Sequence, residues 1–254
     1  MAAPPATRRG SALERVLGPQ GRRRLEAVLL ARAVGWAAGT TPGAAFVALP
    51  PGAEEPGGGL GHDVDWFRAP EPTAPERLAA AVERVFASAG GPVIVVRPDF
   101  PRLGAYHARA ALGDLADGCD VVLGVAVGGG LYLLGMRRPQ PRLFALAGHD
   151  DDGETTRRNA REVTEGLALE VGMLHYERAL VGPDDVLAML ADPLAPSDVT
   201  EVLAAAAAAA GASERAADTG EPGFEPGPDA PKAPVLPLHH SPPDRRRDPR
   251  GAGL

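Results

Sequence analysis

The chain has 254 residues, 44% of them hydrophobic, which is enough to bury a sizeable core, and its Pro-rich polar ends leave one folded domain of roughly 200 residues as the expectation. A formal net charge of -7 does not supply the cationic face that neutralising phosphates requires, so a nucleic-acid binder is not expected. The single cysteine, Cys119, rules out an intrachain disulfide and a thiolate metal cage, and reads as buried filler beside a strand.

Basic charge is almost all arginine; the only lysine, Lys232, lies near the carboxyl end, so the folded part has no Schiff-base or P-loop lysine. The opening MAAPPATRRGSALERVLG lacks the continuous apolar stretch of a signal peptide. No window reaches about 18 apolar residues without charge. The expectation is a cytoplasmic protein with no membrane contact.

Apolar spacing over 14–38, broken at Gly18-Pro19, predicts a short helix, a turn and a longer helix. AAFVALP (44–50) predicts a strand, PGAEEPGGGLGHD a loop and VDWFRA a second short strand. TAPERLAAAVERVFASAGG carries a Thr cap, an early Glu and a terminal Gly-Gly, the start and stop signals of an amphipathic helix. PVIVV follows as a strand apolar on both faces, then the helix LGAYHARAALGDLADG and the strands DVVLGVA and GLYLLGM. ETTRRNAREVTEGLA predicts a helix, LEVGMLHY a strand, and GPDDVLAMLAD and APSDVTEVLAAAAAAAG two more helices. This alternation of strand and helix predicts a doubly wound α/β sheet. Residues 1–10 are expected to be flexible, 11–211 to form the domain, and 212–254 to be a disordered Pro/Gly-rich tail in which VLPLHH and DRRRDPR read as ordinary tail composition.

In open α/β sheets ligands bind beyond the carboxyl ends of the strands, which points here to RPDFPRL after PVIVV and to GVAVGGG after DVVL. Asp99 lies between Pro98 and Pro101, and Gly128, Gly129 and Gly130 would let backbone approach a ligand. Two other groupings admit two readings each: HDDDGE (149–154) as a cation loop or a solvated surface loop, and His175 with Glu177 as an acid/base pair or an ordinary sheet edge. The solvated loop and the sheet edge are the readings favoured. No Gly-x-Ser-x-Gly elbow, His-Glu-x-x-His or Walker loop occurs.

The stretches LGPQGRRRLEAVLLARAVGWA, GGPVIVVRPDFPRL, CDVVLGVAVGGGLYLLGMRRPQPRLF and RALVGPDDVLAML, from Leu13 to about Ala195, resemble the bacterial radical-SAM/selenodomain-associated transferase family. That family is a branch of the GT-A-like nucleotide-diphospho-sugar transferase superfamily; a more distant resemblance is to phospholactate guanylyltransferases. The resemblance implies a GT-A-like, mostly parallel sheet and a nucleoside diphosphate sugar or triphosphate bound through Mg²⁺ or Mn²⁺. It implies ligand contacts at Asp99, Gly128, Gly129, Gly130 and Tyr132, with Asp99 as metal ligand.

The chain also departs from that pattern. The family's basic Gly-x-x-Lys-Thr-Arg-Leu loop, preceded by an apolar strand, aligns with the uncharged GSAL, and no such strand precedes Ser11. Its Pro-Ala-x-Asp-Gly-Gly-Tyr aligns with VAVGGGL, so the acid is Gly128 and the first aromatic is Leu131. Its Asp-x-Asp-Thr aligns with Ala179, Leu180, Val181 and Gly182. Of the expected acids only Asp99 remains, and hard cations need carboxylate oxygens. The leading expectation is therefore a transferase homologue with a degenerate metal-nucleotide site and a binding or regulatory role. The alternative is an active metal-dependent glycosyl- or nucleotidyltransferase, with Asp99 and HDDDGE holding metal and arginines the phosphates. A third reading is a structural partner that binds another protein through its tail.

Overall fold

The computed structural model describes residues 10–53, 55, 63–69, 73–147 and 152–218. The chain divides into two units, Met1–Arg215 and Ala216–Leu254; the described strands all lie in the first, and of the second only the end of a helix is described. Of the terminal segments, Gly10 opens the first helix and residues 212–218 close the last; 1–9 and 219–254 lie outside the described residues.

Helix α1 (Gly10–Thr40) is kinked at Gly18, whose φ of 66° only glycine takes without strain, and Pro19 starts the second segment where its missing N–H costs nothing. Strand β1 (Phe46–Leu49) pairs in parallel with β2 (Asp65–Arg68). Helix α2 (Ala74–Ala89) opens with a reciprocal cap: the Thr73 hydroxyl accepts from the Glu76 N–H and the Glu76 carboxylate accepts from the Thr73 N–H. It closes at Gly90, in the left-handed region. Then come β3 (Val93–Val96), α3 (Ala105–Ala116), β4 (Val121–Val125) and β5 (Leu131–Met136). A short α4 (Pro141–Phe144), continued by a 3-10 turn at Ala145–Ala147, has no counterpart in the sequence reading. The chain ends with α5 (Gly153–Gly166), β6 (Val171–Met173), α6 (Pro183–Ala191) and α7 (Ser197–Asp218).

The larger sheet has the order β3-β5-β4-β6, with β5 antiparallel to both neighbours and β4 parallel to β6, so β5 is its one reversed strand. Strand β6 is shorter than LEVGMLHY predicts: as an edge strand it has one neighbour, and beyond the Leu174 N–H bond to the Leu123 carbonyl the chain leaves the ladder, returning in an isolated bridge between Glu177 and Ala126, just past β4.

Apolar alternation sorts the side chains into two layers. Val93, Val95, Leu123 and Leu134 face α2, α4 and α5, whereas Val96, Val122 and Leu133 face Ala33 and Val34 of α1 and Ala111 of α3. A third cluster joins Leu17 and Leu25 of α1 to Val186 of α6 and Leu203 of α7. Strands β1 and β2 form a separate two-stranded sheet, yet their faces continue those of the larger one: Val47 and Leu49 pack with Val96, and Ala48 and Phe67 with Val93 and Val95. A cleft beside that break is lined by Trp36, Thr40, Phe46, Ile94 and Val96. Among the described residues no helix is long and apolar enough to cross a membrane.

Candidate functional site

The carboxyl ends of β3, β4 and β6 bring together the segments 97–107, 126–130 and 174–180. At the end of β4 the register shifts between Gly124 and Val125, so that Tyr132 is the extra residue of a bulge and joins Leu133 on the α3 side of the sheet. Its ring lies over Gly124, where a Cβ would come within 2.5 Å of the Tyr132 Cζ. Burial, reinforced by the Glu177 carboxylate, pushes the phenol well above its ordinary pKa. Its hydroxyl donates to the His175 carbonyl at 2.9 Å. Tyr132, expected among the ligand contacts, is a core side chain that fixes the backbone at His175.

The glycines of the turn approach protein. Gly129 and Gly130 have φ of 91° and 75°, and the Gly130 N–H donates to the buried Thr156 hydroxyl at 3.0 Å. The first residue of α5 closes in from the same side: a Cβ on Gly153 would sit 2.7 Å from the Ala126 carbonyl oxygen. Close backbone packing of the turn on α5 therefore accounts for part of the glycine run. Gly128 is exposed, has no positive φ, and would carry a Cβ into open space.

Just past the end of β3, Arg97 and Asp99 are two positions apart across the turn at Pro98–Asp99. The guanidinium donates to the Asp99 carboxylate at 2.5 Å and to the Ala147 carbonyl at 3.3 Å, and lies over the Phe100 ring. Only 10% of the Arg97 side chain and 12% of that of Asp99 remain exposed. The Leu180 N–H donates to the Asp99 carbonyl, tying the end of β3 to the segment after β6.

Strand spacing puts His175 and Glu177 on one side, and both do face one place, the start of α3. Glu177 meets a different histidine there. His107, the third residue of α3, accepts from the Gly104 N–H at Nδ1, which puts the proton of the neutral ring on Nε2, 3.2 Å from Glu177 Oε1. His107 is buried, and the Glu177 side chain keeps 17% of its surface. His175 stacks on Tyr106 with ring centroids 6.2 Å apart. The spacing signal for His107 is its place three residues after the helix-starting Gly104.

Among the described residues no three His, Cys, Asp or Glu side chains gather as a cation site, and Asp99 is engaged by a guanidinium. A hard divalent ion wants open carboxylate oxygens, so the described residues do not fit Mg²⁺ or Mn²⁺. Of HDDDGE, residues 149–151 lie outside the described residues. Asp152 caps α5 by accepting from the Thr155 N–H at 2.8 Å, and that bond holds its carboxyl below the usual carboxylate range.

Strand order, the single reversed strand and the helices on both faces define a GT-A-like α/β domain. Residues 33–147, from the last third of α1 to the 3-10 turn, match the model of a family described as uncharacterised proteins conserved in bacteria, DUF2064. The fold is shared with a protein from Desulfovibrio desulfuricans G20 provisionally named a nucleotide-diphospho-sugar transferase: TM-score 0.66 at 18% identity, over 82% of this chain and 95% of that one. Looser similarity extends to the 2-C-methyl-D-erythritol 4-phosphate cytidylyltransferase of Thermus thermophilus (TM-score 0.36, 18% identity, 72% of this chain, 88% of that one). It extends also to the molybdopterin-guanine dinucleotide biosynthesis protein A of Archaeoglobus fulgidus (TM-score 0.31, 13% identity, 60% and 80%). No curated protein matches the sequence.

Proposed function

We propose that this chain is a transferase homologue that binds a nucleotide or nucleotide sugar at the carboxyl ends of its strands without a divalent metal, in a binding or regulatory role. The supporting observation is the Arg97–Asp99 pair: the one acid retained from the resembling family is neutralised by a cation two residues away, inside the protein. A carboxylate held in such a pair gives up that pairing to take a metal, and breaking a buried pair costs about 3 kcal/mol or more. Gly128 stands where the family carries a second acid, and contributes no oxygen from a side chain. Phosphoryl and glycosyl transfer from nucleotide donors rely on neutralising charge at the leaving phosphate, so a site without the cation binds the donor but turns it over slowly.

Electron paramagnetic resonance of Mn²⁺ with UDP-glucose or GDP-mannose tests the reading. The protein should lower the free Mn²⁺ signal no further than the nucleotide does alone. A protein-dependent loss of signal that Asp99→Ala reverses would overturn it in favour of a metal-dependent transferase.

A further inference from the structure

Beside the Arg97–Asp99 pair, the same end of the sheet carries an exposed aromatic face and an oriented carboxylate that the reading above does not use. We propose that Tyr106, His175 and Glu177, with Val127 at their margin, form a subsite for a saccharide ring. The assignment rests on the reading above for its place next to the nucleotide, and on four observations for its chemistry.

Tyr106 keeps 50% of its surface although it is a large apolar ring next to the core. His175 lies against one of its faces at 6.2 Å with an interplanar angle of 28°, so the exposed half of the ring is available on the rest of its surface. Among the described residues the Glu177 carboxylate accepts from His107, at Oε1, and its side chain is still partly exposed, so it has acceptor capacity to spare. Its position is fixed from below: the Val127 N–H donates to the Glu177 carbonyl at 2.9 Å, and the Glu177 N–H donates to the Val125 carbonyl. His107 is itself locked by Gly104 and by edge-on contacts with Tyr106 and Tyr132, at 5.5 and 5.7 Å. A carboxylate so held is pre-organised, and loses little freedom on accepting a ligand's hydroxyls.

An aromatic face next to an acceptor-only carboxylate fits a pyranose better than a phosphate, which the carboxylate repels. The apolar C–H face of the sugar covers the Tyr106 ring, and adjacent hydroxyls donate to Glu177. Exposed Val127, at 46%, extends the apolar margin. Tyr106 is the stacking contact, Glu177 the hydroxyl acceptor, and His175 and His107 are positioning residues.

Saturation-transfer NMR of the full chain with methyl glucoside, methyl galactoside and methyl mannoside reads the subsite without any nucleotide. Saturation of ring protons of at least one glycoside, lost in Tyr106→Ala and in Glu177→Gln, is expected. Tyr106 is exposed, so Tyr106→Ala keeps the fold even where Glu177→Gln disturbs it. No saturation, or saturation unchanged in both variants, overturns the subsite. Calorimetry with UDP-glucose against UDP and GDP-mannose against GDP supplies the second arm, with about tenfold tighter binding of the sugar nucleotide expected and lost in Tyr106→Ala. Equal binding of diphosphate and sugar nucleotide, both weakened by Tyr106→Ala, makes the ring a base platform and overturns the saccharide assignment. Glycoside saturation with no nucleotide binding sustains the subsite and removes the nucleotide reading above.

Discussion

The ring of Tyr132 covers Gly124 on the neighbouring strand so closely that a methyl group there would fall 2.5 to 2.8 Å from three of its carbons. A β-bulge turns the tyrosine onto that face, and the absent side chain of Gly124 makes room for it. Gly124→Ala should therefore destabilise the fold by about 1–3 kcal/mol, the cost of overpacking, in denaturant melts. In a double-mutant cycle with Tyr132→Leu the penalty should shrink, because the smaller side chain vacates the contact.

The same phenol gives an alkaline signature. Burial raises its pKa in the folded state, so the stability tied to the neutral phenol is full below the ordinary tyrosine range and is lost as pH rises through the raised value. Absorbance at alkaline pH should show one of the three tyrosines resisting ionisation until the protein unfolds. Tyr132→Phe should remove that lag and cost about 1 kcal/mol for the lost bond to the His175 carbonyl.

Arg97 and Asp99 should behave as a unit. Arg97→Met leaves a carboxylate with 12% exposure beside an apolar side chain, and should cost about 3 kcal/mol or more. Arg97→Met combined with Asp99→Leu should recover much of that loss, which thermal and urea unfolding of the three variants would measure.

Within the turn, the three glycines should part company. Gly128→Ala should change stability by less than about 0.5 kcal/mol, its Cβ meeting nothing within 4 Å. Gly129→Ala and Gly130→Ala should each cost about 1–2 kcal/mol, because φ of 91° and 75° strains any other residue.

Asp152 couples the start of α5 to pH. Its carboxyl is held low by the Thr155 N–H, so its contribution is present above the ordinary carboxylate range and is lost as pH falls through the lowered value. Asp152→Ala should lower the melting temperature at neutral pH, and the gap to the parent protein should close in acid.

Much of the fold was legible because its signals are local. Thr73 and Glu76 announce α2, Gly18-Pro19 announces the kink, and β-branched runs announce β3 and β4. The four-residue α4 carries too few turns to show a period. The site was less legible because its partnerships are long-range: Glu177 meets His107 across 70 positions, and Gly130 meets Thr156 across 26. Arg97 and Asp99 are only two apart, but they meet across a turn past the end of β3, where the strand's period no longer applies. The glycine run was expected to let backbone approach a ligand; the close approach seen is to α5, which periodicity had no means of indicating.

A nucleotide site that works without a divalent metal is open to a simple test. Isothermal titration of the full chain with nucleoside triphosphates, UDP-glucose and GDP-mannose, each with and without Mn²⁺, addresses it most directly. At least one of these ligands should bind, with an affinity that Mn²⁺ changes by less than about threefold, under one kcal/mol. Binding that appears only with Mn²⁺ and vanishes in Asp99→Ala, or no binding to a folded protein under any condition, would contradict it.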